Sequence, residues 1–230
     1  MKVLGMDTAL GACSAAIVID GAAKAVRHTV QARGHAETIM SQVAEVCEEA
    51  GLAIKDLDRI GITVGPGTFT GQRVGLAAAR GLVLGTQVQL IGVTTGQAVA
   101  AGIKDGRPGD FLFAVFDARR GQVYSQGFDH DLCALTPPEL LALSAVAPRI
   151  AGIVPPGGQA LLAGSGAVLV RADLRRAGVQ IGETTAPAQP DARQVARLAA
   201  RVPVPDGPAP APLYLRAPDA KLPVKRRRGH

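Results

Sequence analysis

Tryptophan is absent, and only two tyrosines and five phenylalanines occur among 230 residues. A core must therefore be packed from small aliphatic side chains, which is ordinary for a soluble α/β protein of this length. The three cysteines, Cys13, Cys47 and Cys133, lack Cys-x-x-Cys spacing and a matching histidine pair. That excludes the usual zinc and disulfide frameworks, and no bound metal is expected. No apolar run approaches the roughly 18 residues of a membrane helix. Met1-Lys2 leads straight into an apolar strand with Asp7 at its end, so no signal peptide and a reduced, cytoplasmic setting are expected. Gly-x-Ser-x-Gly, His-Glu-x-x-His and a Walker Gly-Lys-Ser/Thr are all missing. His28, His130 and His230 share no pattern, so a hydrolase is hard to assemble from this inventory.

The formal net charge is +6, but it is concentrated at one end. Residues 1–100 hold eight basic and eight acidic side chains, and residues 101–220 hold twelve against eleven. The other five positive charges are Lys221, Lys225, Arg226, Arg227 and Arg228. A nearly neutral body with a basic tail leaves two readings of the tail: contact with RNA phosphates, or a solubilising end.

Residues 2–7 read as a buried strand ending in a carboxylate, and Cys13–Ile19 as a second strand. Asp20-Gly21 is a strong hairpin signal, with a third strand at about 24–30. The spacing of Ile39, Met40, Val43, Val46, Cys47 and Ala50 predicts an amphipathic helix ending at Gly51. Leu57–Val64 is a fourth strand and Gln87–Val93 a fifth, with a glycine-rich helix over about 70–84 between them. A turn-rich stretch at 104–110 separates this part from the second half of the chain. Phe111–Asp117 then repeats the opening grammar: apolar strand, Asp, short turn, and a second strand at Gln122–Phe128. The repeat suggests a duplicated fold with two similar lobes. A short helix is expected from Thr136, a strand running into a glycine turn over 161–167, and a helix from Pro190-Asp191 to about Arg201. The expected division is a first lobe at 1–103, a smaller second lobe at 104–202, and a proline-rich linker with a basic tail at 203–230. Leu213–Arg216 within that last stretch is expected to dock on the body.

Between the fourth strand and its helix stands Gly65-Pro-Gly-Thr-Phe-Thr-Gly-Gln-Arg-Val-Gly75. Two glycines around a proline force a tight turn, and Thr68 or Thr70 can cap the helix that comes next. Pattern alone allows a phosphate cradle at a helix N-terminus or a structural elbow. Asp7 and Asp117, at strand ends, fit either a metal–phosphate holder or ordinary turn formation.

The stretch closely resembles the Gly-Pro-Gly-Ser-Phe-Thr-Gly-Leu-Arg-Ile-Gly motif of the TsaB (YeaZ) family. Further matches occur in family order: Met6-Asp7-Thr8 with Cys13-Ser14, His35-Ala36-Glu37, Asp117-Ala-Arg-Arg120 with Val123-Tyr124, and Tyr214-Leu215-Arg216. Thr68 replaces the family's serine and Gln72 its apolar leucine. The resemblance implies the actin/sugar-kinase/Hsp70-like duplicated RNase H-like fold. It also implies a non-catalytic subunit that pairs with a TsaD-type catalytic subunit and a TsaE-type ATPase, or with a second copy in isolation. That complex transfers threonylcarbamoyl from threonylcarbamoyl-AMP to N6 of the adenosine 3′ of the anticodon, in tRNAs reading codons that begin with adenine. ATP and threonylcarbamoyl-AMP are then used by the complex and no cofactor is expected on this chain; tRNA is reached through the complex, and no membrane is involved. On this reading Ile39, Met40, Val43, Val46, Cys47, Arg73 and Val74 form a partner face, although the same stripe can pack on the chain's own sheet. Asp7, Thr8, Gly67, Thr68, Thr70 and Asp117 would be a vestigial phosphate- or nucleotide-facing set. The alternatives are a small-molecule kinase or ATPase of the same fold and a glycoprotease-like peptidase, for which no nucleophile–base pair is visible.

Overall fold

The structure is a computed structural model, and it describes residues 1–103, 106–186, 188–203 and 207–216. The basic run at 221–228 and part of the proline-rich linker lie outside the described residues. Strands β1 (Lys2–Asp7), β2 (Ala12–Ile19), β3 (Ala22–Val30), β4 (Arg59–Gly65) and β5 (Gln89–Thr94) form one sheet in the order β3-β2-β1-β4-β5. Strands β6 (Asp110–Arg119), β7 (Gln122–Phe128), β8 (Glu139–Ala142), β9 (Gln159–Ala163) and β10 (Gln180–Gly182) form a second, in the order β10-β9-β6-β7-β8. The two orders are the same when each strand is matched to its counterpart five later. In both, an antiparallel meander is followed by two parallel strands. The repeated hairpin grammar of the sequence is thus a repeated topology.

Helices α1 (His35–Ala50) and α2 (Phe69–Val83) cover one face of the first sheet. Period-two alternation directs Leu4 and Met6 of β1, and Ile60 and Ile62 of β4, into this layer. There they meet Ile39, Val43, Val46 and Leu76 of the helices. In the second lobe α4 (Leu143–Ala151) and α5 (Ala167–Arg176) take the corresponding place, over Phe113, Val115 and Leu162.

The inner side of the first sheet is closed from the far end of the chain. Helix α6 (Ala192–Arg201) follows the second sheet in sequence, yet it packs on the first, with Val195, Ala196 and Ala199 against Val3, Val18, Ile91 and Val93. Gly5 and Gly61 are register partners on neighbouring strands, and both lie under this helix. A Cβ on Gly5 would overlap the Ala192 carbonyl oxygen, and one on Gly61 would stand 2.7 Å from the Ala199 methyl. The paired glycines make the trough that the alanine face of α6 fills. Helix α3 (Thr95–Ala100) sits between the lobes, with Val99 and Ala100 in the apolar layer of Phe116 and Phe128.

The second lobe departs from expectation in detail. The helix expected at Thr136 is instead strand β8, with Ser125 opposite Glu139 and Tyr124 opposite Leu140, and helix α4 starts only at Leu143. Glu, Leu, Leu and Ala are good helix formers, but pairing with β7 overrides that preference. Among the described residues no helix is long and apolar enough to cross a membrane.

Candidate functional site

Strand β4 leads into the glycine–proline stretch, where Thr68 and the Gly71 main chain are held by local hydrogen bonds. The Thr68 hydroxyl accepts from Gly71 N–H at 3.1 Å, capping α2, while the Thr68 amide donates to the Ala9 carbonyl at 2.8 Å. From the opposite side the Thr8 hydroxyl donates to the Gly71 carbonyl at 2.7 Å. A Cβ on Gly67 would overlap Ala9, and one on Gly71 would overlap Thr8. The turn after β1 and the turn after β4 are therefore pressed together. The stretch works here as an elbow that locks the first hairpin to α2.

Asp7 lies beneath this contact, fully buried. Its Oδ1 accepts from the Thr63 hydroxyl at 2.6 Å and from the Ala9 amide at 3.1 Å; its Oδ2 is buried without a hydrogen-bond partner among the described residues. Burial pushes the carboxyl up to about 7, against the lowering effect of its hydrogen bonds, and nearby Asp191 adds to the rise. Asp191 is itself opposed by burial, but the Arg193 side chain and amide hold it below the ordinary carboxylate range. Burial also raises the Cys13 thiol to about 12, with Asp7 contributing.

A cavity of about 760 Å³ opens between the lobes. Gly67, Thr68 and Gln72 line it from the first lobe, Asp117, Arg119, Tyr124 and Ser165 from the second, and Leu213–Arg216 from the end of the chain. Of the six residues expected to face a phosphate or nucleotide, Gly67, Thr68 and Asp117 share this wall. Asp7 and Thr8 are buried behind it, and Thr70 is exposed on the first turn of α2 outside it. Asp117 Oδ1 accepts from the Arg119 amide at 2.8 Å, and its carboxylate pairs with the Arg119 guanidinium. Gln72, in the position where the resemblance places leucine, is buried, and its Oε1 has no partner among the described residues. Sequence reasoning did not bring Phe69, Gln72 or Tyr214 to this site. Phe69 and Tyr214, both about half exposed, were the available signal in a chain so poor in aromatics.

The expected partner face needs correction. Ile39, Val43, Val46 and Cys47 are buried against the chain's own sheet and present no surface to another molecule. Val74 is half-buried over the same core, while Met40 and Arg73 are exposed. The apolar stripe of α1 is a core stripe. The outward side of the layer is different: Ala36, Met40 and Ala44 at four-residue spacing on α1, and Thr70, Ala77 and Gly81 on α2. Glu37, Ser41, Arg73 and Arg80 are exposed on the same two helices.

A family model described as TsaD, tRNA N6-adenosine threonylcarbamoyltransferase, matches residues 26–136. The chain is 34% identical over 131 residues to the Escherichia coli tRNA threonylcarbamoyladenosine biosynthesis protein TsaB, covering 57% of this chain and 56% of that protein. The match thus spans about half the length of that curated relative. An uncharacterized protein of Mycobacterium bovis is 34% identical over 222 residues, covering 95% of this chain and 93% of its own. Among solved structures, a Pseudomonas aeruginosa protein described as similar to peptidase YEAZ superposes with a TM-score of 0.75 at 26% identity, covering 94% of this chain and 99% of that one. A Thermus thermophilus ROK hexokinase, 15% identical with a TM-score of 0.56 over 87% of this chain and 99% of its own, shares the fold alone.

Proposed function

The chain belongs to the TsaB (YeaZ) family, and from that premise we propose that it is a non-catalytic subunit for forming N6-threonylcarbamoyladenosine in tRNA, paired with a TsaD-type catalytic subunit. The observation that carries the non-catalytic reading is the closure of the first hairpin on the elbow. Thr68 N–H, which a phosphate loop would offer to an anion, is bound to the Ala9 carbonyl. Asp7, which would hold a metal–phosphate, is buried and capped by Thr63. ATP and threonylcarbamoyl-AMP are then handled by the catalytic subunit and a TsaE-type ATPase, and this chain meets tRNA through the complex. The outward side of α1 and α2 is the docking face. The exposed Ala36, Ala44, Ala77 and Gly81 would let a partner's helices approach closely there.

Reconstitution tests this reading. Threonylcarbamoyl transfer to tRNA is measured with TsaD-type and TsaE-type proteins, with and without the chain. Transfer is expected only when the chain is present; equal transfer without it overturns the proposal. Tight ATP binding by the isolated chain in calorimetry would favour a kinase instead. The face has its own test. Met40→Glu combined with Ala77→Glu places two charges on an exposed surface, so the circular dichroism spectrum and melting temperature are expected to stay near wild type. Co-elution with the TsaD-type subunit is expected to be lost, because two carboxylates would be desolvated on docking. Undiminished co-elution would move the docking face elsewhere.

A further inference from the structure

After α6 the chain leaves the first lobe a second time. Pro210 packs against Gly92 of β5, and its carbonyl accepts from Arg80 Nη2 at 2.7 Å. The Leu213 amide donates to the Val64 carbonyl at 2.7 Å. Tyr214 Oη accepts from Arg73 Nε at 2.8 Å, and the Tyr214 ring lies 5.1 Å from that of Phe69, whose face is covered by the Arg73 guanidinium at 3.6 Å. Within two further residues the segment reaches the other lobe. Leu215 packs on the layer containing Phe116 and Tyr124, and Arg216 Nη2 donates to Gln122 Oε1 at 2.7 Å. Elsewhere the lobes meet at α3, where the Thr94 hydroxyl donates to Gln126 Oε1 at 3.0 Å and Gly96 lies against the same side chain. The lobes thus touch at α3 and at Leu10, which packs on the Phe116 layer, and the strap walls the cavity between them.

We propose that residues 210–216 are a releasable clasp that holds the two lobes closed over the cavity, with Tyr214 as its pin on α2. The attachment is of a kind that comes apart without unfolding anything else. Pro208, Pro210 and Pro212 alternate along the segment and carry no N–H, so it cannot zip onto the edge strand β5 as a sixth strand. Its hold on the first lobe, among the described residues, is the packing of Pro210 on Gly92, one main-chain bond from Leu213 to β4, and contacts to the side chains of Arg73, Arg80 and Phe69, all three exposed. Exposed bonds with little apolar burial belong to the low-stability end of a structure. Both ends are also separable: Tyr214 and Arg80 secure the strap to the first lobe, Leu215 and Arg216 to the second.

Double electron–electron resonance on the full chain tests this. Spin labels are placed at Lys55→Cys and Arg175→Cys, exposed positions on opposite lobes, in a Cys133→Ser background. Tyr214→Ala is expected to broaden the distance distribution and move it by several ångström, and Arg216→Ala, cutting the other end, to do the same. Tyr214→Phe, which keeps the ring and loses the hydroxyl, is expected to fall between. In hydrogen exchange the Leu213 amide is expected to lose roughly tenfold or more of its protection in Tyr214→Ala, while the amides of β1 and β4 keep theirs. Wild-type distance distributions in Arg216→Ala and in the Tyr214 variants that fold would overturn the clasp. A loss of protection shared by β1 and β4 would also overturn it, since the strap would then be part of the core and not releasable.

Discussion

Gly5→Ala is expected to destabilise the protein by about 3 kcal/mol or more, which for a chain of this size lowers the melting temperature by roughly 6–12 °C. One methyl group is enough because its obstacle is main chain. A Cβ at position 5 would overlap the carbonyl oxygen of Ala192 and stand 2.8 Å from the amide nitrogen of Ala196. A clash with a flexible side-chain end is relieved by rotation, whereas this one requires the whole of α6 to lift from β1. Lifting it would also open the layer of Val3, Val18, Ile91 and Val195. Gly81→Ala is the matched control. No atom of the described residues lies within 4 Å of a Cβ at this helical position, so alanine should stabilise by up to about 1 kcal/mol through helix propensity. Thermal melts of the two variants should move in opposite directions. A Gly5→Ala protein that melts with the wild type would show that α6 does not rest on β1.

Asp7→Asn is expected to stabilise the protein at pH 8 and to give no such gain near pH 4. In the unfolded chain this carboxyl ionises near 3.8, and in the folded protein only at about 7. Between those values the folded state binds a proton that the unfolded state has lost, so stability falls as pH rises from about 4 to about 7 and levels off above. The full span corresponds to something on the order of 4 kcal/mol. Asparagine keeps an acceptor for Thr63 and Ala9, adds an N–H₂ where Oδ2 stood unpartnered, and cannot ionise. Chemical denaturation of both proteins at pH 4, 6 and 8 measures the effect. The gap should widen with pH, and a constant gap would mean that Asp7 does not carry this titration. Asp191 does not cancel it: Arg193 keeps that carboxylate charged, so ionised Asp7 faces a like charge across the α6 N-cap.

Much of the fold was legible because it is written in local pattern. Strand, aspartate, tight turn and second strand occur at 2–19 and again at 111–128, and each copy belongs to a sheet of the same order. The Gly65–Gly75 stretch was legible as strand, turn and capped helix, and the structure adds why both outer glycines of its first turn are needed: Gly65 has φ 112°, and Gly67 faces Ala9. The position of α6 was not legible. Its sequence, Ala-Arg-Gln-Val-Ala-Arg-Leu-Ala-Ala-Arg, specifies an amphipathic helix and says nothing about which sheet receives it. The complementary information sits well over a hundred residues earlier, in Gly5 and Gly61, and neither half is interpretable alone. The direction of the α1 stripe failed for a related reason. Ile39, Val43 and Val46 are equally apolar whether they meet their own sheet or a partner, and only the burial of that face decides. The cavity wall from Leu213 to Arg216 depends on a chain reversal after α6 that no periodicity encodes.

The return of α6 to the first sheet also fixes an order of events during synthesis. When residues 1–103 have left the ribosome, the outer layer of α1 and α2 can form, but the other face of the sheet still shows Val3, Val18, Ile91 and Val93 to water. Only Ala98 of α3 covers part of that face until about a hundred more residues have been translated and α6 emerges to fill the Gly5–Gly61 trough. A nascent chain paused inside the second sheet therefore carries an adhesive apolar surface, the kind that recruits chaperones or aggregates. The first lobe is begun first and finished last.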